Sequence, residues 1–177
     1  MSDDLLPQYV IGLGANLGDR LTTLASAVRA LAREGVVLRL SSVYETQAVG
    51  PPQPDYLNAA ILLGSQLSPL ELLAALLAIE RAHGRERRER WGPRTLDLDL
   101  LYSPGLELDD PVLTLPHPEL HCRAFALVPL LDVLPDARDD RSGVGYQTLL
   151  DALGRGSVRR FETDSAWPPI DAAGRAE

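Results

Sequence analysis

Six segments in the first hundred residues alternate between strand-like and helix-like apolar spacing, and their order restricts the fold more than any other feature. Tyr9 to Gly14 is a short apolar run ending in glycines and reads as a buried strand. Asp19 is placed as a helix N-cap. Leu21, Leu24, Ala25, Val28, Leu31 and Ala32 then recur at helical spacing until Gly35 stops the helix. Val36 to Glu45 and Tyr56 to Leu63 read as two further strands. Gly50-Pro51-Pro52-Gln53-Pro54 between them is a loop, because proline has no N–H for a ladder. Ser68-Pro69-Leu70-Glu71 is a capping box with proline at the first helical position, opening a Leu- and Ala-rich helix that ends near His83-Gly84. Thr95 to Tyr102 is a fourth strand.

Strand, helix, strand, strand, helix, strand is the double βαβ order of a ferredoxin-like α+β sandwich, βαββαβ, and that is the expected architecture. Residues 103–118 are expected to add short strands and turns. Glu119 to Val133 reads as a helix broken or begun near Pro129, and Tyr146 to Leu153 as a last short helix. The expected organisation is one domain over residues 1–154 and a polar, poorly ordered tail over 155–177.

Composition narrows the function classes. The longest clean apolar run, Leu72 to Ile79, is far short of the ~20 residues that span a bilayer, so no membrane partner is expected. Met1-Ser2-Asp3-Asp4 is acidic where a secretory signal would be basic. Cys122 is the only cysteine and reads as a small buried residue. One Cys and three His do not suit a closed zinc site, and a reducing cytoplasm is expected. No long apolar edge stands out, so the chain is expected to be a monomer. The net charge of −8 argues against nucleic acid as a partner. Yet Arg81 to Arg94 holds six arginines against two glutamates, a net of +4 that leaves −12 for the remainder. A cationic patch in an acidic chain suits a small anionic ligand. All 17 basic residues are arginine, so charged phosphate contacts fall to Arg or His.

The sharpest chemical signal is Arg94-Thr95-Leu96-Asp97-Leu98-Asp99-Leu100. On a strand, Leu96, Leu98 and Leu100 share one face and Asp97 and Asp99 the other, the carboxylates about 6–7 Å apart. At that spacing they repel by roughly 2–3 kcal/mol, so a fold that places them together supplies cations. Hard oxygen ligands on a rigid strand suit Mg²⁺, which takes one or two carboxylates plus substrate phosphates; a solvated face paired with arginines is the plainer reading. Arg85 to Arg94, containing Trp91 and Gly92-Pro93, reads as an exposed loop whose guanidinium forks fit phosphate oxygens. Gly12-Leu13-Gly14-Ala15-Asn16-Leu17-Gly18 misses the dinucleotide-binding spacing by one residue and reads as a turn feeding the first helix. Without lysine there is no Walker A loop. His117 and His121 stand four apart with Pro118 between them. His117 and Arg123 therefore read as phosphate contacts, and His83 as solvent-facing. Spacing alone supports a Mg²⁺-dependent phosphate-handling enzyme. A nucleotidyltransferase and a non-catalytic nucleotide-binding module stay open beside it.

Taken together, residues 8–136 resemble the 6-hydroxymethyl-7,8-dihydropterin pyrophosphokinase family of the folate pathway. The resemblance rests on Gly12-Leu13-Gly14-Ala15-Asn16-Leu17-Gly18-Asp19, Pro54-Asp55-Tyr56-Leu57-Asn58-Ala59, Arg90-Trp91-Gly92-Pro93-Arg94-Thr95-Leu96-Asp97-Leu98-Asp99, Pro116-His117-Pro118 and Arg123-Ala124-Phe125, in the family's order. It implies a ferredoxin-like fold and transfer of pyrophosphate from ATP to the pterin hydroxymethyl group, releasing AMP. It also implies two Mg²⁺ held by Asp97 and Asp99, with Arg85 and Arg94 as catalytic arginines. Glu80, Arg87, Arg90, Trp91, His117 and Arg123 match positions around ATP. Thr46, Val49, Tyr56, Asn58, Trp91 and Phe125 match positions around the pterin. Two departures stand out. Gln47-Ala48 occupies a place where relatives often have proline, and the stretch from Gly84 to Trp91 is one residue shorter than in some members, which leaves Arg87 and Arg88 interchangeable.

Overall fold

The computed structural model describes residues 6–84, 95–163, 167, 170 and 171. The expected order is present: β1 (Gln8–Ala15), α1 (Arg20–Leu31), β2 (Val36–Leu40), β3 (Tyr44–Thr46), β4 (Tyr56–Gly64), α2 (Pro69–Ala82) and β5 (Asp97–Tyr102). The two-residue strands β6 (Leu108–Asp109) and β7 (Thr114–Leu115) follow, then α3 (Ala124–Val133), α4 (Tyr146–Leu153) and β8 (Arg159–Arg160). The main sheet runs β5-β1-β4-β3-β8 with β2 also on β4, every pair antiparallel. This is the ferredoxin-like arrangement with a helical layer added behind it.

Local chemistry explains the boundaries. Asp19 caps α1 through its side chain to the Thr22 N–H, and Ser68 and Glu71 form the reciprocal capping box of α2. The single strand expected over Val36 to Glu45 is two strands, because Ser41 steps out of the ladder. Its N–H donates to the Ala60 carbonyl at 2.9 Å, and its Oγ, not a backbone carbonyl, accepts from the Ala60 N–H at 2.8 Å.

The sheet buries both faces. Tyr9, Ile11, Leu13 and Ala15 of β1, Leu57, Ala59, Ile61 and Leu63 of β4, and Leu98 and Leu100 of β5 pack under α1 and α2. Val10, Ala60, Leu62, Leu101 and Tyr102 face α3 and α4 instead. A register shift between Val10 and Ile11 turns both Leu101 and Tyr102 to that side. Each fully buried Leu or Ile contributes about 1.5–3 kcal/mol of transfer free energy. No helix among the described residues is long and apolar enough to cross a membrane.

Four expectations need correction. The helix expected from Glu119 begins only at Ala124, after a 3-10 turn over Leu120–Cys122, because Arg123 is extended at φ −116°. Pro129 does not break it. Pro129 sits inside α3, where its missing N–H removes the helical donor for the Phe125 carbonyl. His83 is not a solvent-facing side chain. Its Nδ1 lies 2.8 Å from the Ile79 carbonyl and its Nε2 3.0 Å from Ser26 Oγ, tying α2 to α1. The described part of the C-terminal segment is not a loose tail, since β8 joins the sheet and Phe161, Trp167 and Ile170 pack on the core.

Candidate active site

The floor of the site is made of residues without side chains. On the α3 side of β1, Val10 is covered, and the next two residues on that face are Gly12 and Gly14. Gly12 pairs with Asp99 on β5 and Ala60 on β4, and Gly14 with Asp97 and Asn58. Two carboxylates thus border one side of a bare strip and Asn58 the other. A Cβ at Gly14 would approach Asn58 Oδ1 to 3.2 Å, and one at Gly12 would approach Leu101 Cδ1 to 3.0 Å. These two glycines lie inside the strand expected over Tyr9 to Gly14, so the turn expected over Gly12 to Gly18 is confined to its end, where Gly18 has φ +62°. Above the strip opens a cavity of about 470 Å³, within the ~300–1,000 Å³ range of small-ligand pockets.

One wall comes from the end of β3, the following loop and the start of β4, with Thr46, Gln47, Val49, Tyr56 and Asn58. Asn58 Nδ2 donates to Thr46 Oγ1 at 2.7 Å, which fixes the amide plane beside Gly14. The β1–α1 turn holds the loop from outside. Asn16 Nδ2 donates to Gln53 Oε1 at 2.9 Å and to the Pro54 carbonyl at 3.0 Å, while Arg20 Nη1 donates to the Asp55 carbonyl at 2.8 Å. The Asn16 to Arg20 stretch is therefore a brace for the loop as well as a helix start.

The opposite wall carries His117, Glu119, Cys122, Arg123 and Phe125. The His117 N–H donates to the Leu101 carbonyl at 2.8 Å, and its Nδ1 accepts from the Glu119 N–H at 3.2 Å. In the neutral ring Nε2 is then the donor. Burial, reinforced by the Arg123 charge, holds the His117 pKa below the ordinary 6.5. Arg123 pairs with Glu119, stands 4.0 Å from Asp99 Oδ2, and lies over the Phe125 ring at 5.8 Å.

Of the residues singled out from the sequence, Thr46, Val49, Tyr56, Asn58, Asp97, Asp99, His117, Arg123 and Phe125 line this one cavity. Glu80 is not brought to it. It is 0% exposed on α2, and its Oε1 accepts from the Leu98 N–H at 2.7 Å, behind the aspartate pair. Arg85, Arg87, Arg90, Trp91 and Arg94 lie outside the described residues. Cys122 is exposed, not buried, with Sγ 3.2 Å from the Glu119 carbonyl. Sequence reasoning missed Gly12, Gly14, Gln47 and Glu119 as lining residues. The glycine alternation within an otherwise apolar strand was the available signal for the first two.

The donor set fits a hard divalent cation. Asp97 and Asp99 line the cavity with two carboxylates from one face of β5, and no cluster of three metal-ligating side chains occurs among the described residues. Mg²⁺ uses such a pair when substrate phosphates complete its shell.

The family model for 7,8-dihydro-6-hydroxymethylpterin-pyrophosphokinase (HPPK) matches residues 10–135. A 2-amino-4-hydroxy-6-hydroxymethyldihydropteridine pyrophosphokinase of Synechocystis is 45% identical over 161 residues, covering 90% of this chain and 78% of the relative. The Pseudomonas aeruginosa protein of the same name is 41% identical over 137 residues, covering 76% and 85%. Among solved structures, an HPPK-DHPS in complex with substrates superposes with a TM-score of 0.69 at 11% identity, covering 89% of this chain and 47% of that one. The chain thus spans about half the length of that fusion, and the likeness concerns the fold. By the matched model and by identity across most of its length, the chain belongs to the 7,8-dihydro-6-hydroxymethylpterin-pyrophosphokinase family.

Proposed function

We propose that the chain transfers pyrophosphate from ATP to the hydroxymethyl group of 6-hydroxymethyl-7,8-dihydropterin and releases AMP, a step of folate biosynthesis. The observation that carries the reading is a single cavity with a carboxylate pair over a glycine floor, cationic and imidazole donors on one wall and an aromatic residue on each. Membership in the family supplies the reaction class.

The pterin lies between Tyr56 and Phe125. Each ring adds about 0.5–1.5 kcal/mol beyond burial. Asn58, steadied by Thr46, bonds the pterin edge, and Val49 closes that end. Asp97 and Asp99 would hold two Mg²⁺ ions together with the ATP phosphates, and the ions would supply charge neutralisation at the phosphates and a lowered pKa at the attacking hydroxyl. Arg123 and His117 Nε2 donate to phosphate oxygens, and Glu119 keeps Arg123 against the cavity wall before ATP arrives. Arg85, Arg87, Arg90, Arg94 and Trp91 complete the ATP side, with Arg85 and Arg94 stabilising charge on the departing AMP. The chain acts as a monomer in the cytoplasm, where a lone exposed thiol stays reduced.

Product analysis tests the reading. The protein is mixed with Mg²⁺, ATP and the pterin, and nucleotides and pterins are separated. AMP in step with a pyrophosphorylated pterin is expected. ADP, or free pyrophosphate with a nucleotidylated product, overturns it.

A further inference from the structure

The C-terminal segment reaches both ends of the loop that borders the cavity. β8 lies antiparallel on β3, with Arg160 opposite Tyr44 and Arg159 opposite Glu45. The contact extends beyond these pairs at each end. The Phe161 N–H donates to the Val43 carbonyl at 2.9 Å, and the Gln47 N–H donates to Ser157 Oγ at 3.1 Å. A side chain thus continues the ladder onto the first residue of the loop. Arg159 serves the other end, with Nη2 2.5 Å from Glu45 Oε1 and 3.7 Å from Asp55 Oδ2. Arg20 joins the same knot. It donates to the Asp55 carbonyl, pairs with Glu45 at 3.4 Å and sits 5.9 Å from the Phe161 ring centre. Farther along, Trp167 Nε1 donates to the Ser41 carbonyl at 3.1 Å and fixes the segment to the sheet edge.

We infer that residues 157–161 are a positioning element for the substrate wall. Ser157 and Arg159 latch the loop between Gln47 and Asp55, and so set where Val49 and Tyr56 stand when the pterin enters. The inference rests on the assignment of that wall to the pterin. The latch adds to the brace that Asn16 and Arg20 give the far end of the loop. Among the described contacts, those within it run from the Gln53 side chain to the Val49 and Pro51 carbonyls at 3.4 and 3.2 Å, with no regular ladder. A wall ordered in advance spares the ligand the ordering cost on binding. The carboxylate pair sits on β5 at the opposite edge of the sheet, so the effect falls on one substrate.

Steady-state kinetics of Ser157→Ala, Arg159→Ala and the double variant, with Mg²⁺, ATP and the pterin, test this. Arg160→Ala is the control, since neighbours on a strand face opposite ways and the charge change is the same. The double variant is expected to raise KM for the pterin about tenfold, with KM for ATP and kcat within about twofold. Arg160→Ala leaves all three unchanged. A pterin KM unchanged in the double variant, or one that rises together with the KM for ATP, overturns the inference. Amide hydrogen exchange on the ligand-free proteins decides the latch without chemistry. Faster exchange across residues 47–55 in the double variant supports it, and identical exchange overturns it. A wild-type chain that does not turn over the pterin refutes the functional reading instead, and exchange still decides the latch.

Discussion

Glu80, fully buried on α2, accepts a hydrogen bond at 2.7 Å from the backbone N–H of Leu98, the residue between Asp97 and Asp99. Among the described residues β5 is an edge strand, with no neighbouring strand to receive its outward N–H groups. The carboxylate satisfies one of them at the point where the two aspartates must be held still. Glu80→Gln keeps an acceptor and is expected to retain most of the stability and turnover. Glu80→Leu leaves the N–H orphaned at about 1–3 kcal/mol and slackens the pair. Its Mg²⁺ requirement should rise severalfold more than that of Glu80→Gln. Equal Mg²⁺ titrations for the two variants would remove the positioning role.

Asp97→Asn and Asp99→Asn are expected to keep the fold and lose turnover by about a hundredfold or more, the scale of removing a group that stabilises transition-state charge. Both residues are half-buried and line the cavity, and asparagine keeps their shape, so thermal unfolding should move little. Wild-type turnover with wild-type Mg²⁺ dependence in either variant contradicts the metal role.

Gly14→Ala places a Cβ 3.2 Å from Asn58 Oδ1 and 3.6 Å from Tyr56 Cδ1. Gly14 has no positive φ, so the backbone accepts alanine and the pressure falls on the two pterin-side residues. KM for the pterin is expected to rise about tenfold, with the unfolding midpoint within about 1 kcal/mol of wild type. A large loss of stability with unchanged KM would show that the strip is structural only.

The pH dependence of folding reports on His117. Its pKa is lowered in the folded chain, first by burial and then by Arg123. The unfolded chain therefore binds more protons. The contribution to stability is complete above the ordinary value of 6.5 and is lost as pH falls from there toward the folded-state value. His117→Asn removes this slope. Denaturant midpoints for the two proteins should converge as pH drops from 7 to 5, and parallel curves would exclude His117 as the source.

The sheet order and the two faces of β5 were legible because period and capping carry them. Leu98 and Leu100 are buried while Asp97 and Asp99 stand over the cavity, as alternation requires. What was not legible depends on distant partners. Nothing near Ser41 announces that its hydroxyl will accept from Ala60, so one expected strand became two. Pro129 looked like a break, yet the break came at Arg123, where the extended backbone ends the preceding turn. Glu80 read as a nucleotide neighbour, and its burial against Leu98 emerges only when α2 crosses β5. Arg159 and Ser157 sit in a stretch whose local composition is polar, and their partners lie more than a hundred residues away.

The two helical layers enter the chain at different times. β1 through β5, with α1 and α2, are complete by Tyr102, whereas His117, Arg123, Phe125 and all of α3 follow. During synthesis the emerging chain therefore holds a two-layer sandwich whose second face, Val10, Ala60, Leu62 and Leu101, is still naked. A bare apolar surface of that kind is where a nascent chain sticks to others or is caught by a chaperone. Closing it is the act that also builds the cavity wall of His117, Arg123 and Phe125, so protection from aggregation and assembly of that wall are one event.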